Sequence, residues 1–234
     1  MPTKMPTLHN VRVFPDASAV AAAAIVEIVR FADESAVATS VRHLCLAGGT
    51  TPRMLYQGLP ADLDLRAVEL WFSDERMVPA DHAESNFAMV HQAYLSRATH
   101  RPRVVHRIAG ERGAVAATAA MNTAFGSTIQ LDLVLLGVGV DGHTASLFPG
   151  DAGFDQVAPP AFVTARDNAR VSASFTTLAA ARQVIFVVTG DAKADILAEL
   201  PCSDLPAAQL ARALGDRAHW WLDAAAARRV PRGR

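Results

Sequence analysis

An aspartate and a histidine two positions apart, Asp141 and His143, lie in a glycine-rich loop that follows an apolar run in "LDLVLLGVGVDGHTASLFPG" (131–150). Glycines at 137, 139 and 142 let backbone approach a ligand closely, and an imidazole beside a carboxylate just after a strand is placed to act as a general base. The same G-x-G-x-x-G spacing occurs in dinucleotide-binding loops. That use requires the turn to open a helix, with an acid about 20 residues on at the end of the next strand. Here Pro149 and Gly150 stop any helix after barely two turns, and Asp151 and Asp155 precede the next apolar run instead of ending it. The loop is therefore read as displaying Asp141 and His143, with Thr144 and Ser146 beside them, and not as a nicotinamide site.

Three other apolar runs end in residues that could do chemistry. In "LAGGTTPRMLYQGL" (46–59), Gly48 and Gly49 precede Thr50, Thr51 and Pro52. Such a turn gathers free amides and the positive end of a helix dipole on one small anion, although a well-capped ordinary turn has the same composition. The lysine and spacing of a Walker loop are missing. In "WFSDERMVPADHAESNF" (71–87), Asp74, Glu75 and Arg76 follow a strand directly. Alternation along the chain aims at least one of them across a pocket at the sheet edge, while Ser85 or Asp81 serves as a helix cap. In "VVTGDAKADIL" (187–197), Lys193 falls in the first turn of a helix, where the dipole disfavours a cation that has no anion to hold. Arg170, which opens "RVSASF" (170–175), is a further basic candidate or simply a surface strand start.

The elements that must position these residues are legible as alternating runs. Strands are expected at 11–14, 43–48, 68–74, 103–108, 131–138, 161–165, 170–175, 183–190 and 218–223. Helices are expected at 16–38, from Pro52, and at 84–96, 113–125 and 192–200, with a last one after Asp223. "LVLLGV" and "VIFVVTG" are apolar on both faces, as strands covered on two sides must be. The fold class is therefore α/β, a three-layer α/β/α arrangement with a mostly parallel Rossmann-like sheet, and ligands belong at the carboxyl ends of its strands. No linker or repeat divides the chain, and Pro159–Pro160 marks a turn at most, so residues 1–234 are expected to form one domain. Residues 229–234, "RVPRGR", are expected to be a disordered tail.

Composition excludes several alternatives. The 234 residues are 51% hydrophobic with a formal net charge of -1, enough for a substantial core and too balanced to favour nucleic acid or an anionic membrane in bulk. "ASAVAAAAIVEIV" is too short, and too closely flanked by Asp16, Glu27 and Arg30, to span a bilayer. The opening residues lack the pattern of a signal peptide. Two cysteines, Cys45 and Cys202, match no metal or redox spacing and suit a reducing, cytoplasmic setting. No exposed apolar face is marked, so a monomer is the default expectation.

Taken in order, "LAGGTTPRMLY", "FSDERMVPADHAESNF", "LDLVLLGVGVDGHTASLFPG", "RVSASFTTLAAARQVIFVVTGDAK" and "LPAAQL…WWLDAAAA" resemble the 6-phosphogluconolactonase family across nearly the whole chain. "GVGVDGHTASLFP" is the most specific of these stretches. A relative in fold, glucosamine-6-phosphate deaminase, has an acid before the corresponding proline, where this chain has Thr144–Phe148. The deaminase pattern also has a different residue in place of Arg76. The resemblance implies the fold shared by that deaminase, ribose-5-phosphate isomerase and CoA-transferases. It implies hydrolysis of a phosphorylated sugar lactone without metal or cofactor, with His143 as general base and Asp141 orienting it. On the same resemblance Arg76 or the loop amides stabilise the oxyanion, and Asp74 holds a hydroxyl or positions Arg76. Gly48, Gly49, Thr50, Lys193 and Arg170 then hold the phosphate. Arg170 is the least secure of these, because "RVSASFTTL" departs from the family's more regular run; the alternatives are an amino-sugar-phosphate deaminase or isomerase and a non-catalytic sugar-phosphate-binding protein.

Overall fold

A computed structural model of the chain describes residues 8–150, 161–167 and 169–231. The runs that are apolar on both faces form the centre of a parallel sheet. These are β6 (Leu133–Leu136), buried along its whole length, and β9 (Gln183–Val188), buried from Val184 on. On one side of them lie β10 (Ala218–Asp223) and β1 (Val11–Phe14); on the other lie β2 (Arg42–Leu46), β3 (Val68–Phe72) and β5 (Val104–His106). The order is β1-β10-β9-β6-β2-β3-β5, and every neighbouring pair is parallel. Parallel neighbours need crossovers, supplied among others by α1 (Ala17–Ala36), α2 (Thr50–Gly58) and α4 (Ala114–Phe125). Four adjacent strands, β9, β6, β2 and β3, thus bring the four chemically marked strand ends to one edge of the sheet.

The run expected as one strand over 68–74 divides in two. β3 stops at Phe72, the chain turns at Ser73, and β4 (Asp74–Arg76) leaves for a second sheet. There β4 pairs antiparallel with β8 (Arg170–Ala173), which pairs with β7 (Phe162–Ala165), so the two runs expected in the main sheet form a separate small one. Its register sets Asp74 opposite Ser172 and Arg76 opposite Arg170. The small sheet is joined to the large one through an aromatic cluster. Trp71 stacks on His106 at 3.7 Å and on Phe162 of β7 at 6.2 Å, and meets Phe125 of α4 edge-on at 5.1 Å.

The remaining differences are local. α2 begins at Thr50, two residues before the expected Pro52. The helix expected at 84–96 is α3 (Asn86–Val90) continued by a π-helical turn (His91–Leu95), with Ser85 as its cap, accepting from the Ala88 amide at 3.1 Å. Two further helices, α5 (Phe175–Ala179) and α7 (Pro206–Leu214), lie outside the expected set. The segment expected at 192–200 is a 3-10 turn (Asp191–Lys193) followed by α6 (Ala194–Glu199), so Lys193 stands just ahead of the α-helix. Beyond Asp223 there is only a 3-10 turn (Ala226–Arg229), and Arg229, expected in the tail, pairs with Asp195 at 2.7 Å. Residues 232–234 of that tail and the Pro159–Pro160 turn lie outside the described residues. None of the described helices is long and apolar enough to cross a membrane.

Glu75 explains why β4 and α3 stay together. It is buried, and its carboxylate accepts from the amides of Arg76, Asn86 and Phe87, each at 2.8 Å, and from Ser85 Oγ at 2.9 Å. Burial pushes its carboxyl pKa up, and those four donors pull it back. Glu75→Ala leaves four donors unmatched and is expected to cost about 3 kcal/mol of stability. A urea denaturation series measures this; a loss under about 1 kcal/mol would show that water replaces the carboxylate.

Candidate active site

A cavity of about 540 Å³ opens over the carboxyl ends of the central strands. Gly48, Gly49, Thr50, Asp74, Arg76, His143, Arg170 and Lys193 all line it, so the structure brings together every sequence-predicted site residue except Asp141, which stands behind His143. Position in the small sheet selects among the three charged residues of β4. Asp74 and Arg76, two apart, face the cavity, while Glu75 points the other way into its cage of donors.

The loop after β6 is folded on itself. The Gly139 amide donates to the His143 carbonyl at 2.8 Å, the Gly142 amide to the Gly139 carbonyl at 3.1 Å, and the His143 amide to Asp141 Oδ1 at 3.3 Å. His143 Nδ1 is hydrogen-bonded to Asp141 Oδ1, which leaves Nε2 as the nitrogen available to a reactant. Burial raises the pKa of Asp141, but its bonds to His143 outweigh that and hold the carboxyl below the usual range. Gly139 is required on steric grounds: a β-carbon there would lie 2.0 Å from His143 Nδ1. Phe148 supports the imidazole at 4.3 Å between ring centroids and carries the guanidinium of Arg166, 3.6 Å from its centroid. Arg166 also reaches within 3.9 Å of Asp141 Oδ2, a contact that no spacing in the sequence signals.

Of the two roles expected for Asp74, holding a hydroxyl or positioning Arg76, the second is not seen, because its contacts do not include Arg76. Its Oδ1 accepts from Ser73 Oγ at 3.2 Å and Asn86 Nδ2 at 3.3 Å; its Oδ2 accepts from Ser146 Oγ at 2.6 Å and lies 3.6 Å from Arg170 Nη1. The paired cation is thus Arg170, because β8 runs directly opposite β4. Arg76 instead donates from Nη1 to the Glu84 carbonyl at 2.7 Å. Burial, and then the neighbouring charge of Arg76, lowers the pKa of Arg170, while Asp74 opposes the shift. Two like charges opposite one another in a strand pair are unfavourable alone, and the buried Asp74 carboxylate offsets them. Ser146 and Asn86 therefore belong to the site. Ser146 is legible only as a neighbour of His143, and Asn86 carries no sequence signal at all.

At the other end of the cavity, Gly49 caps α2 with φ of +109°, and no side chain occupies the first amides of the helix. Thr51 Oγ1 is hydrogen-bonded to Thr189 Oγ1 at 2.6 Å, which ties this turn to the one after β9. A β-carbon on Gly48 would lie 2.0 Å from Asn86 Oδ1, so the close approach needs glycine. Lys193 is half-buried and, among the described residues, has no ion-pair partner. Burial lowers its pKa and Asp141 opposes this. Open amides, a helix start and an unpaired ammonium form a site for a small polyanion. The His143 imidazole and the guanidiniums of Arg76 and Arg170 line the same cavity.

Comparison with known proteins agrees with this geometry. The family model described as glucosamine-6-phosphate isomerases/6-phosphogluconolactonase matches residues 15–220. A 6-phosphogluconolactonase of Haemophilus influenzae is 32% identical over 201 residues, covering 80% of this chain and 86% of the relative. The human 6-phosphogluconolactonase is 37% identical over 208 residues, covering 79% of each. The solved structure of 6-phosphogluconolactonase from Trypanosoma cruzi superposes with a TM-score of 0.81 at 26% identity, covering 98% of both chains. The cavity, the folded His143 loop and these matches together place the chain in the glucosamine-6-phosphate isomerase/6-phosphogluconolactonase family.

Proposed function

We propose that this chain, as one domain, hydrolyses 6-phospho-D-glucono-1,5-lactone to 6-phospho-D-gluconate, the second step of the oxidative pentose phosphate pathway, with His143 as general base. The observation that carries the reading is the His143–Asp141 pair standing over a cavity whose far end is built for a phosphate. The phosphate sits on the Gly48–Gly49–Thr50 turn with Lys193, and Arg170 adds charge from the small sheet. That anchoring brings the lactone carbonyl to His143 and lowers the entropic cost of attack.

The chemistry then needs one proton relay. Water attacks C1, its proton passes to His143 Nε2, and the carbonyl electrons move onto oxygen. The amides of Gly139, Gly142 and His143 are bonded inside the loop, and Arg76, which lines the cavity, is the donor we assign to that oxyanion. As the tetrahedral intermediate collapses, the bond from C1 to the ring oxygen breaks and protonated His143 gives that oxygen its proton. Asp141 keeps the imidazole in the tautomer that frees Nε2 and stabilises its cation. An amino-sugar-phosphate deaminase or isomerase would need an acid between Thr144 and Pro149, where the chain has none. The free thiols of buried Cys45 and exposed Cys202 support a cytoplasmic enzyme, and the near-neutral charge supports one that binds neither nucleic acid nor membrane. We read it as a monomer.

Release of 6-phosphogluconate from freshly generated lactone, against an enzyme-free blank, tests the reading. His143→Ala is expected to lower kcat by about 10² to 10⁴, with the product still binding. Asp141→Asn, which removes the orienting charge, is expected to lower kcat by about 10- to 100-fold. Wild-type activity in His143→Ala would remove the base assignment, and wild-type protein that only matches the blank while binding sugar phosphates would make the chain a sensor.

A second test uses pH. Lys193 is charged below its pKa, and that pKa lies under the ordinary value of 10.5. Affinity for 6-phosphogluconate is therefore expected to fall as pH rises through the lowered value, earlier than an ordinary lysine would allow. Calorimetric titration at several alkaline pH values should show the fall in wild type and not in Lys193→Arg, whose guanidinium stays charged.

A further inference from the structure

We propose that Asp223 is a positioning residue for the reaction: it fixes the Gly190 peptide and, through it, the turn that presents Lys193 to the substrate phosphate. The inference rests on the reading of Lys193 as a phosphate ligand. It also gives a purpose to the "WWLDAAAA" stretch, which supplies no reacting group.

Asp223 closes β10 beside the end of β9, and it is 6% exposed. Both carboxylate oxygens lie 3.0 Å from the Gly190 amide, and Oδ1 also accepts from the Ala226 amide at 2.8 Å. Among the described residues no cation stands within ion-pair distance of it. A buried carboxylate bonded only to backbone amides is costly unless those bonds are strong, and charge-assisted bonds to amides are. Gly190 adopts φ of +94°, and its carbonyl accepts the Lys193 amide at 3.0 Å. A continuous chain of bonds therefore runs from the Asp223 carboxylate through one residue, Gly190, to the backbone of Lys193. Arg228 with Asp191, and Arg229 with Asp195, fasten the same turn on either side of Lys193, but these pairs are exposed and add little.

The same C-terminal part of the chain holds the opposite wall of the cavity by separate contacts. The Ala207 amide donates to the Gly142 carbonyl at 3.1 Å, and Leu205 packs where a β-carbon on Gly142 would lie 2.7 Å away. The base loop and the cation turn are thus tied down independently. Loss of Asp223 should loosen substrate binding and spare the chemical step.

The test compares kcat and KM for the lactone, and calorimetric affinity for 6-phosphogluconate, in Lys193→Ala, Asp223→Ala, Asp223→Asn, Gly190→Ala and the Asp223→Ala/Lys193→Ala double variant. Asp223→Ala is expected to raise KM by about tenfold, with kcat within about twofold of wild type. The double variant should be no worse than Lys193→Ala, since both act through one ammonium. Asp223→Asn should recover most of the affinity, because one acceptor oxygen can serve both amides. Gly190→Ala strains the turn at its positive φ while meeting no atom within 4 Å, so it should reproduce the KM effect even if Asp223→Ala does not fold. A rise in KM for Lys193→Ala with wild-type KM in Gly190→Ala and Asp223→Ala would overturn the positioning role alone. Additive effects in the double variant, or a loss confined to kcat, would do the same. Wild-type KM in Lys193→Ala would instead remove the phosphate assignment, and this inference with it.

Discussion

The buried carboxylate of Asp74 is the contact on which the arrangement of the site depends. A charge taken out of water must be matched on every side, and the four groups that match it come from four different places: the turn at Ser73, α3 through Asn86, the His143 loop through Ser146, and β8 through Arg170. Each of these segments is anchored by its own buried apolar side chains, Val90, Leu147 and Val171 among them, and the shared carboxylate fixes how the segments meet. Tying them to one carboxylate places the small antiparallel sheet against the end of the parallel one. The cavity is the space left between the two.

The same requirement distributes the charges. Arg76 and Arg170 face each other across a strand pair, an arrangement that local preferences oppose. It persists because Asp74 neutralises one guanidinium from below and the Glu84 carbonyl holds the other. Glu75, on the far face of β4, is spent on three amides and a hydroxyl and takes no part in the cavity. Three consecutive ionisable residues therefore do three separate things, and alternation along a strand of three residues is what separates them.

What was legible in the sequence follows from what is local. The apolar runs of β6 and β9 announce burial on both faces, and the Gly, Thr and Pro residues after β2 announce a strand-to-helix turn, so the parallel core and the four marked strand ends could be read from neighbouring residues. The departure of β4 from β3 could not. Its cause is pairing with a strand near residue 171, and the turn at Ser73 contains neither glycine nor proline. For the same reason the pairing of Asp74 with Arg170 was not legible, since β8 lies far along the chain from β4. α7 lies outside the expected helices, although Pro206 at its first turn is a usable sign of a helix start. Arg166 and Asn86 were invisible on any local reading, since each acts across the fold on another segment's carboxylate.

The two aspartates of the site differ in a way that bears on its chemistry. Both oxygens of Asp74 are matched by donors and buried, and those contacts join the segments that wall the cavity. Asp141 is exposed and shares one oxygen with His143. A site so divided has one carboxylate that orients an imidazole and one that holds four segments together. Opening an ester needs only a single group that removes a proton from water and returns it to the leaving oxygen. On the proposed mechanism His143, oriented by Asp141, moves the proton, and Asp74 is left to hold the walls of the cavity.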